Sequence, residues 1–101
     1  MNISSNLSSI HAHQTLLNNS AYNVANVNTD GFIPTQTTLN DRGNSVTSSS
    51  AKAADNGSPR SQTDLAKEIP DQIIAQDGVA VNVTAIKTED EMLGTLLDIK
   101  A

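Results

Sequence analysis

The bulky apolar positions of this chain fall into two periodic runs with a polar stretch between them. Near the C-terminus, Leu65, Ile69, Gln72, Gln76, Val79, Val83, Ile86, Asp90, Leu93 and Leu97 succeed one another at alternating steps of four and three. That spacing draws a seam along one side of a long helix and predicts one over 64–101. A second stripe, Ala85, Met92, Leu96 and Ile99, lies about a third of a turn away. One facing helix cannot cover both stripes, so the segment asks for more than one neighbour. At the N-terminus, Ile3, Leu7, Ile10, Gln14, Leu17, Ala21 and Val24 repeat the same steps. They predict a helix of about 25 residues, roughly 38 Å long. Its other face is Ser, Asn and His, which compete with the backbone for hydrogen bonds, so the helix needs its apolar face covered.

The ends of these runs carry punctuation. Asn28-Thr29-Asp30-Gly31 closes the first period. Gly31 suits a left-handed helix cap, Phe32 can fold back onto the last turn, and Pro34 blocks resumption. The first unit is therefore read as 3–32. Ser61-x-x-Asp64 forms a capping pattern before the second helix. Pro70 either bends that helix or restarts it. Gly78 costs about 1 kcal/mol relative to Ala, and its lack of a side chain leaves room for another backbone.

The middle, 33–63, is of different material: Ser, Thr, Asn, Asp and Gly, with Ile33, Leu39 and Val46 as its bulky apolar residues. Ordering a backbone costs about 1–2 kcal/mol per residue, which so little apolar surface does not offset. The prediction is a flexible polar connector. A short hairpin around Asp41–Asn44 is the competing reading on turn chemistry.

Composition narrows the function classes. At 101 residues the chain is one small domain at most, with one Tyr, one Phe and no Trp to anchor a core. Its net charge is −5 and no Lys or Arg precedes Arg42. Nucleic acid and anionic membrane both demand clustered basic residues, so neither is an expected partner. There is no cysteine, hence no disulfide or thiol chemistry. Met1–Ser9 lacks the basic and apolar regions of a cleavable secretory signal, and no stretch is long enough for membrane insertion. His11 and His13 are two apart, on different sides of a helix, and make no metal pair. Glu89-Asp90-Glu91 lacks a calcium-loop pattern and reads as a solvated face. No serine sits in a nucleophile elbow, and no glycine loop awaits a phosphate. The expectation is a protein without enzymatic activity, catalytic residues, metal or cofactor.

Both ends resemble one family. Asn6–Phe32, with Leu7, Gln14, Ser20 and the run Asn23-Val24-Ala25-Asn26-Val27-Asn28-Thr29-Asp30-Gly31-Phe32, is similar to the N-terminal signature of bacterial flagellar rod and hook proteins. Asp64-Leu65-Ala66-Lys67-Glu68, Ile74-Ala75-Gln76, Asn82, Ile86-Lys87-Thr88-Glu89-Asp90-Glu91-Met92-Leu93 and Thr95-Leu96-Leu97-Asp98-Ile99 resemble its C-terminal segment. A polar connector stands where hook proteins carry whole domains, so the resemblance is to a short rod-type member.

The resemblance implies a fold and a role. The terminal segments would pair as two long antiparallel helices in an all-α, coiled-coil-like hairpin, ordered mainly within a helical tube. Ile3, Leu7, Ile10, Leu17 and Val24 would pair with Leu65, Ile69, Val79, Val83, Ile86, Leu93 and Leu97. Met92, Leu96 and Ile99 would face other subunits. Gly31 and Phe32 would cap the first helix. Partners would be copies of itself, other rod and hook proteins and the flagellar type III export apparatus. The location would be the basal-body rod, reached without signal-peptide cleavage. The alternative, from another class, is a cytoplasmic adaptor or competitor that mimics an axial subunit and binds the export machinery or a chaperone.

Overall fold

The computed structural model describes residues 3–100, with side chains as far as Leu96. Its elements run α1 (Ile3–Ala25), β1 (Thr35–Asp41), β2 (Val46–Lys52) and α2 (Leu65–Lys100). The architecture is mixed α/β. This corrects the expected all-α hairpin, because the middle of the chain forms a two-stranded antiparallel sheet.

The hairpin forms where local chemistry and tertiary hydrogen bonds agree. The strands carry β-branched Thr35, Thr37, Thr38, Val46 and Thr47, which suit a pleated surface. They turn at Arg42, whose N–H donates to Ser45 O at 2.9 Å. Gly43 takes φ +87°, and its N–H donates to Asp41 Oδ1 at 2.8 Å. Register follows from the ends. Ala53 N–H donates to Pro34 O, and Thr35 pairs with Lys52 through to Asp41 with Val46. Even-numbered β1 residues therefore bond to β2, while Thr35, Thr37, Leu39 and Asp41 turn their backbone groups away.

The outward groups explain why a flexible connector was the wrong expectation. Side chains of α1 take the place of a third strand. Asn23 accepts from Thr35 N–H at 3.0 Å and donates to Thr35 O at 2.8 Å. Ser8 Oγ accepts from Val46 N–H at 3.1 Å on the other edge. Asn19 donates to Thr37 Oγ1 and Ser50 Oγ at 2.7 and 2.9 Å between them. The polar face of α1, which periodicity assigns to solvent, is thus the platform that orders the hairpin. Apolar burial alone could not have shown it.

Gly31 does take φ +73°, but in a separate turn beyond Ala25, where Phe32 N–H donates to Thr29 O at 3.2 Å. Phe32 reaches back to Tyr22 in the last turn of α1, edge to face at 5.7 Å, with the Lys52 ammonium 5.4 Å from its centroid. Asp64 caps α2 by accepting from Ala66 N–H at 3.0 Å. The helix starts at Leu65 and Pro70 lies inside it, so Pro70 does not restart it.

The loop before α2 is stapled rather than free. Asp55 Oδ1 accepts from Gln62 Nε2 and from Gly57 N–H, both at 2.8 Å. Gly31 N–H donates to Pro59 O and Gln62 N–H to Phe32 O. The Gln62 amide first, and the Gly57 N–H second, hold the Asp55 carboxyl below the usual carboxylate range. A group with a depressed folded pKa stabilises above its unfolded value and ceases to as pH falls through its folded one. Amide-exchange protection at Gly57 and Asn56 should therefore drop on acidification below about pH 4, ahead of any loss in α1. Unchanged protection there would show that the staple does not order the loop.

Candidate functional site

The candidate site is the seam between α1 and α2, together with the part of α2 that outruns it. Rises of about 1.5 Å per residue make α1 roughly 34 Å and α2 roughly 54 Å long. Cross-helix bonds fix the register. Asn23 Nδ2 meets Glu68 Oε1 at 3.0 Å, Asn82 Nδ2 meets Ser9 Oγ at 2.9 Å, and Asn6 Nδ2 meets Glu89 Oε1 at 3.1 Å. The helices run antiparallel and are flush at the loop end. All the excess length of α2 lies past Glu89.

The buried residues of α1 are Ser9, Ala12, Leu16, Ser20 and Asn23. On α2, Glu68 and Ala75 are buried, while Gln72, Gly78, Val79, Asn82, Ile86 and Glu89 are half-buried. This is a seam of small and polar side chains, and small side chains let helix backbones approach closely. The His13 ring lies directly over Gly78, where a Cβ would collide with it. Gly78 therefore makes room for a side chain rather than for a backbone. His13 Nδ1 is 2.7 Å from Ser9 O, which holds the ring across the seam.

At the loop end sits a polar knot. Asn23 is 1 % exposed and Glu68 3 %. Asn23 binds Thr35 through both of its amide atoms and Glu68 through its nitrogen. Ser20 Oγ donates to Glu68 O at 3.0 Å, and Thr63 Oγ1 donates to Asn23 O at 2.9 Å. One asparagine thus joins the end of α1, the start of β1 and the first turn of α2. Glu68 lies in that first turn, where negative charge is favoured by the helix dipole.

The residues assigned to helix pairing are divided by the structure. Ile10, Leu17, Val24, Val79 and Ile86 are half-buried along the flanks of the seam. Ile3, Leu7, Leu65, Ile69, Val83 and Leu93 are exposed and lie outside the buried part of the seam. Met92 and Leu96, assigned to other subunits, are exposed as well. The side chains of Leu97 and Ile99 lie outside the described residues. The true seam is displaced by about one residue on each helix, from Leu17 toward Leu16 and from Ile69 toward Glu68. The signal that marks it is the seven-residue series Glu68, Ala75, Asn82, Glu89, whose members are small or polar and so escape an apolar count.

Gly78→Ala tests the seam. Adding a methyl group to a filled site costs about 1–3 kcal/mol, while the better helix propensity of Ala returns about 1 kcal/mol. The single variant should lose up to about 2 kcal/mol in urea unfolding. With His13→Ala in the background, the same change should become stabilising. A stabilising effect in both backgrounds would mean that His13 does not occupy the seam in solution.

Among the described residues, no group of three His, Asp or Glu side chains is placed to hold a metal ion. No helix among them is long and apolar enough to cross a membrane. The polar groups of the seam are engaged in holding elements together, with Glu89 Oε2 as a buried atom lacking a hydrogen-bond partner among the described residues. The chemistry on offer is recognition by surfaces. Beyond the seam, Thr88, Glu91, Met92, Thr95 and Leu96 line a shallow groove of about 400 Å³ on the uncovered end of α2. No family model matches this chain, and comparison with curated proteins returns no match.

Proposed function

We propose that this chain is a structural subunit of the bacterial flagellar basal-body rod, exported by the flagellar type III apparatus and joined to its neighbours through its terminal helices. The observation that carries this reading is the exposure of α2. Leu65, Ile69, Ile73, Ile74, Val81, Val83, Met92, Leu93 and Leu96 are all exposed, and they spread over several sides of the helix. A helix that is apolar on several sides is one that assembly buries. The resemblance of Asn23–Phe32 and Ile86–Leu93 to axial proteins supplies the kind of assembly. The hairpin, held on the polar face of α1, leaves α2 free to meet neighbours, since neither strand packs on it.

The test is location. An epitope-tagged chain should co-purify with hook–basal bodies from cells whose flagellar export is intact. Retention in the cytoplasm under the same conditions would overturn the rod reading and favour an adaptor or competitor of axial subunits.

A further inference from the structure

Of the asparagines in this chain, only Asn56 precedes a glycine, and the pair lies in the loop between β2 and α2. An asparagine amide is open to attack by the backbone nitrogen of the next residue, and a side chain on that residue hinders the approach. Gly57 has none, and a Cβ built on it would meet nothing within 4 Å. Both residues are exposed, so water reaches them. The pair is therefore reactive by its chemistry, and the loop decides whether the reaction proceeds.

The closed loop holds these atoms against reaction. The Gly57 N–H must lose its proton before the nitrogen can attack, and it donates to Asp55 Oδ1 at 2.8 Å. Asn56 Oδ1 accepts from Ser58 N–H at 2.9 Å, which ties down the amide. Gln62 closes the loop from the far side. Its Nε2 donates to Asp55 Oδ1 at 2.8 Å, and its Oε1 accepts from Asn56 N–H at 3.1 Å. The Gln62 amide first, and the Gly57 N–H second, hold the Asp55 carboxyl below the usual range. The second of these interactions is mutual. A carboxylate that gains from an N–H makes that proton harder to remove, because the amide anion would form beside a negative charge. A carboxylate of low pKa is also a poor base for the task.

We propose that Asn56 is a self-modification site, converted through a succinimide to aspartate and isoaspartate when the loop opens and guarded by Asp55 and Gln62 while it is closed. In the open loop the Gly57 nitrogen gives its proton to solvent hydroxide and bonds to Asn56 Cγ. The Cγ–Nδ2 bond breaks, and Nδ2 leaves as ammonia with a proton from water. A second water then opens the ring. Addition at Cγ leaves aspartate; addition at the main-chain carbonyl carbon leaves isoaspartate, whose backbone runs through Cβ and is longer by that carbon. The extra carbon falls between the N–H groups of residues 56 and 57, the two donors that Gln62 and Asp55 hold. The closed loop therefore does not re-form as before, and the product is a lasting record of opening. The site does not depend on the rod reading, and its test does not involve location.

The test is peptide mapping of the full chain after incubation at mildly alkaline pH. Cleavage after Lys52 and Arg60 isolates residues 53–60, in which the amide-to-acid mass change and the separately eluting isoaspartate form are both read. Conversion at Asn56 should be about tenfold or more faster in guanidinium chloride than in the folded chain, since only opening frees the Gly57 nitrogen. Gln62→Ala should raise the folded rate about threefold or more, leave helicity by circular dichroism unchanged, and leave the rate in guanidinium chloride where it was. Equal rates in the folded and unfolded chains would overturn the guard. So would a folded Gln62→Ala rate equal to that of the unmodified chain. A folded rate above the unfolded one would also overturn it, by making Asp55 a base rather than a guard. Conversion at Asn44, before Ser45 in the exposed hairpin turn, outpacing Asn56 in guanidinium chloride would overturn the choice of site.

Discussion

Replacing Asn23 with Asp is expected to cost the fold a large part of its stability at neutral pH. The change keeps the shape of the side chain and removes its only donor. That donor serves Glu68 Oε1 at 3.0 Å and Thr35 O at 2.8 Å, in a site where Asn23 and Glu68 are almost wholly buried. The variant would set a second carboxylate against the first and against a carbonyl oxygen. Removing one partner of a buried charged group costs about 3–5 kcal/mol, and two carboxylates sharing a site add repulsion until one takes a proton. The whole fold is held by a margin of about 5–15 kcal/mol in ordinary domains, and here the buried apolar core is Ala12, Leu16 and Ala75. A loss of this size is a large part of the margin of a fold with so small an apolar core.

Two checks separate this cause from general damage. Acidification should restore part of the helicity of Asn23→Asp. A proton shared between two carboxylates at one site relieves their repulsion. Adding Glu68→Gln should also recover part of the stability at neutral pH, because glutamine supplies a new donor to the aspartate. If Asn23→Asp unfolds at the same urea concentration as the unmodified chain, the knot does not hold the three elements together.

What was legible in the sequence, and what was not, follows from which forces leave a pattern. Apolar period showed both helices, because it is blind to the partner and needs only the 3.6-residue turn. It placed the seam about one residue off, because it followed Leu, Ile and Val, and this seam is built from Ser9, Ala12, Ser20, Asn23, Ala75 and Gly78. Side chains of that size pack helices closely but add nothing to an apolar stripe. Asn23 was visible as part of the resemblance, yet its work is tertiary: it completes the edge of β1 and satisfies Glu68, and neither partner is near it in sequence. The hairpin stood only as the competing reading for the same reason. Its turn chemistry at Asp41–Gly43 was visible, but the side chains that fix it on α1 belong to a face that reads as solvated. Large apolar residues such as Ile69 and Leu93 mislead in the opposite sense, since the isolated chain leaves them outside.

The contrast between Leu16 and Leu7 measures which face of α1 is covered. Leu16 is 6 % exposed and is the largest apolar side chain of the buried core, whereas Leu7 is 48 % exposed. Leu16→Ala should cost about 2–5 kcal/mol, the transfer of the lost atoms plus the cavity they leave. Leu7→Ala should stay within roughly 0.5 kcal/mol, as surface changes away from caps and buried polar groups usually do. Urea unfolding followed by circular dichroism reads both, and the slope should be similar while the midpoint moves. Among the described residues the buried apolar core is Ala12, Leu16 and Ala75, so Leu16 supplies most of its volume. Equal costs for the two variants would return the seam to the apolar stripe through Leu7 and Leu17. A large effect of Leu7→Ala confined to recovery in hook–basal bodies, with unfolding unchanged, would instead assign Leu7 to contacts that only assembly makes.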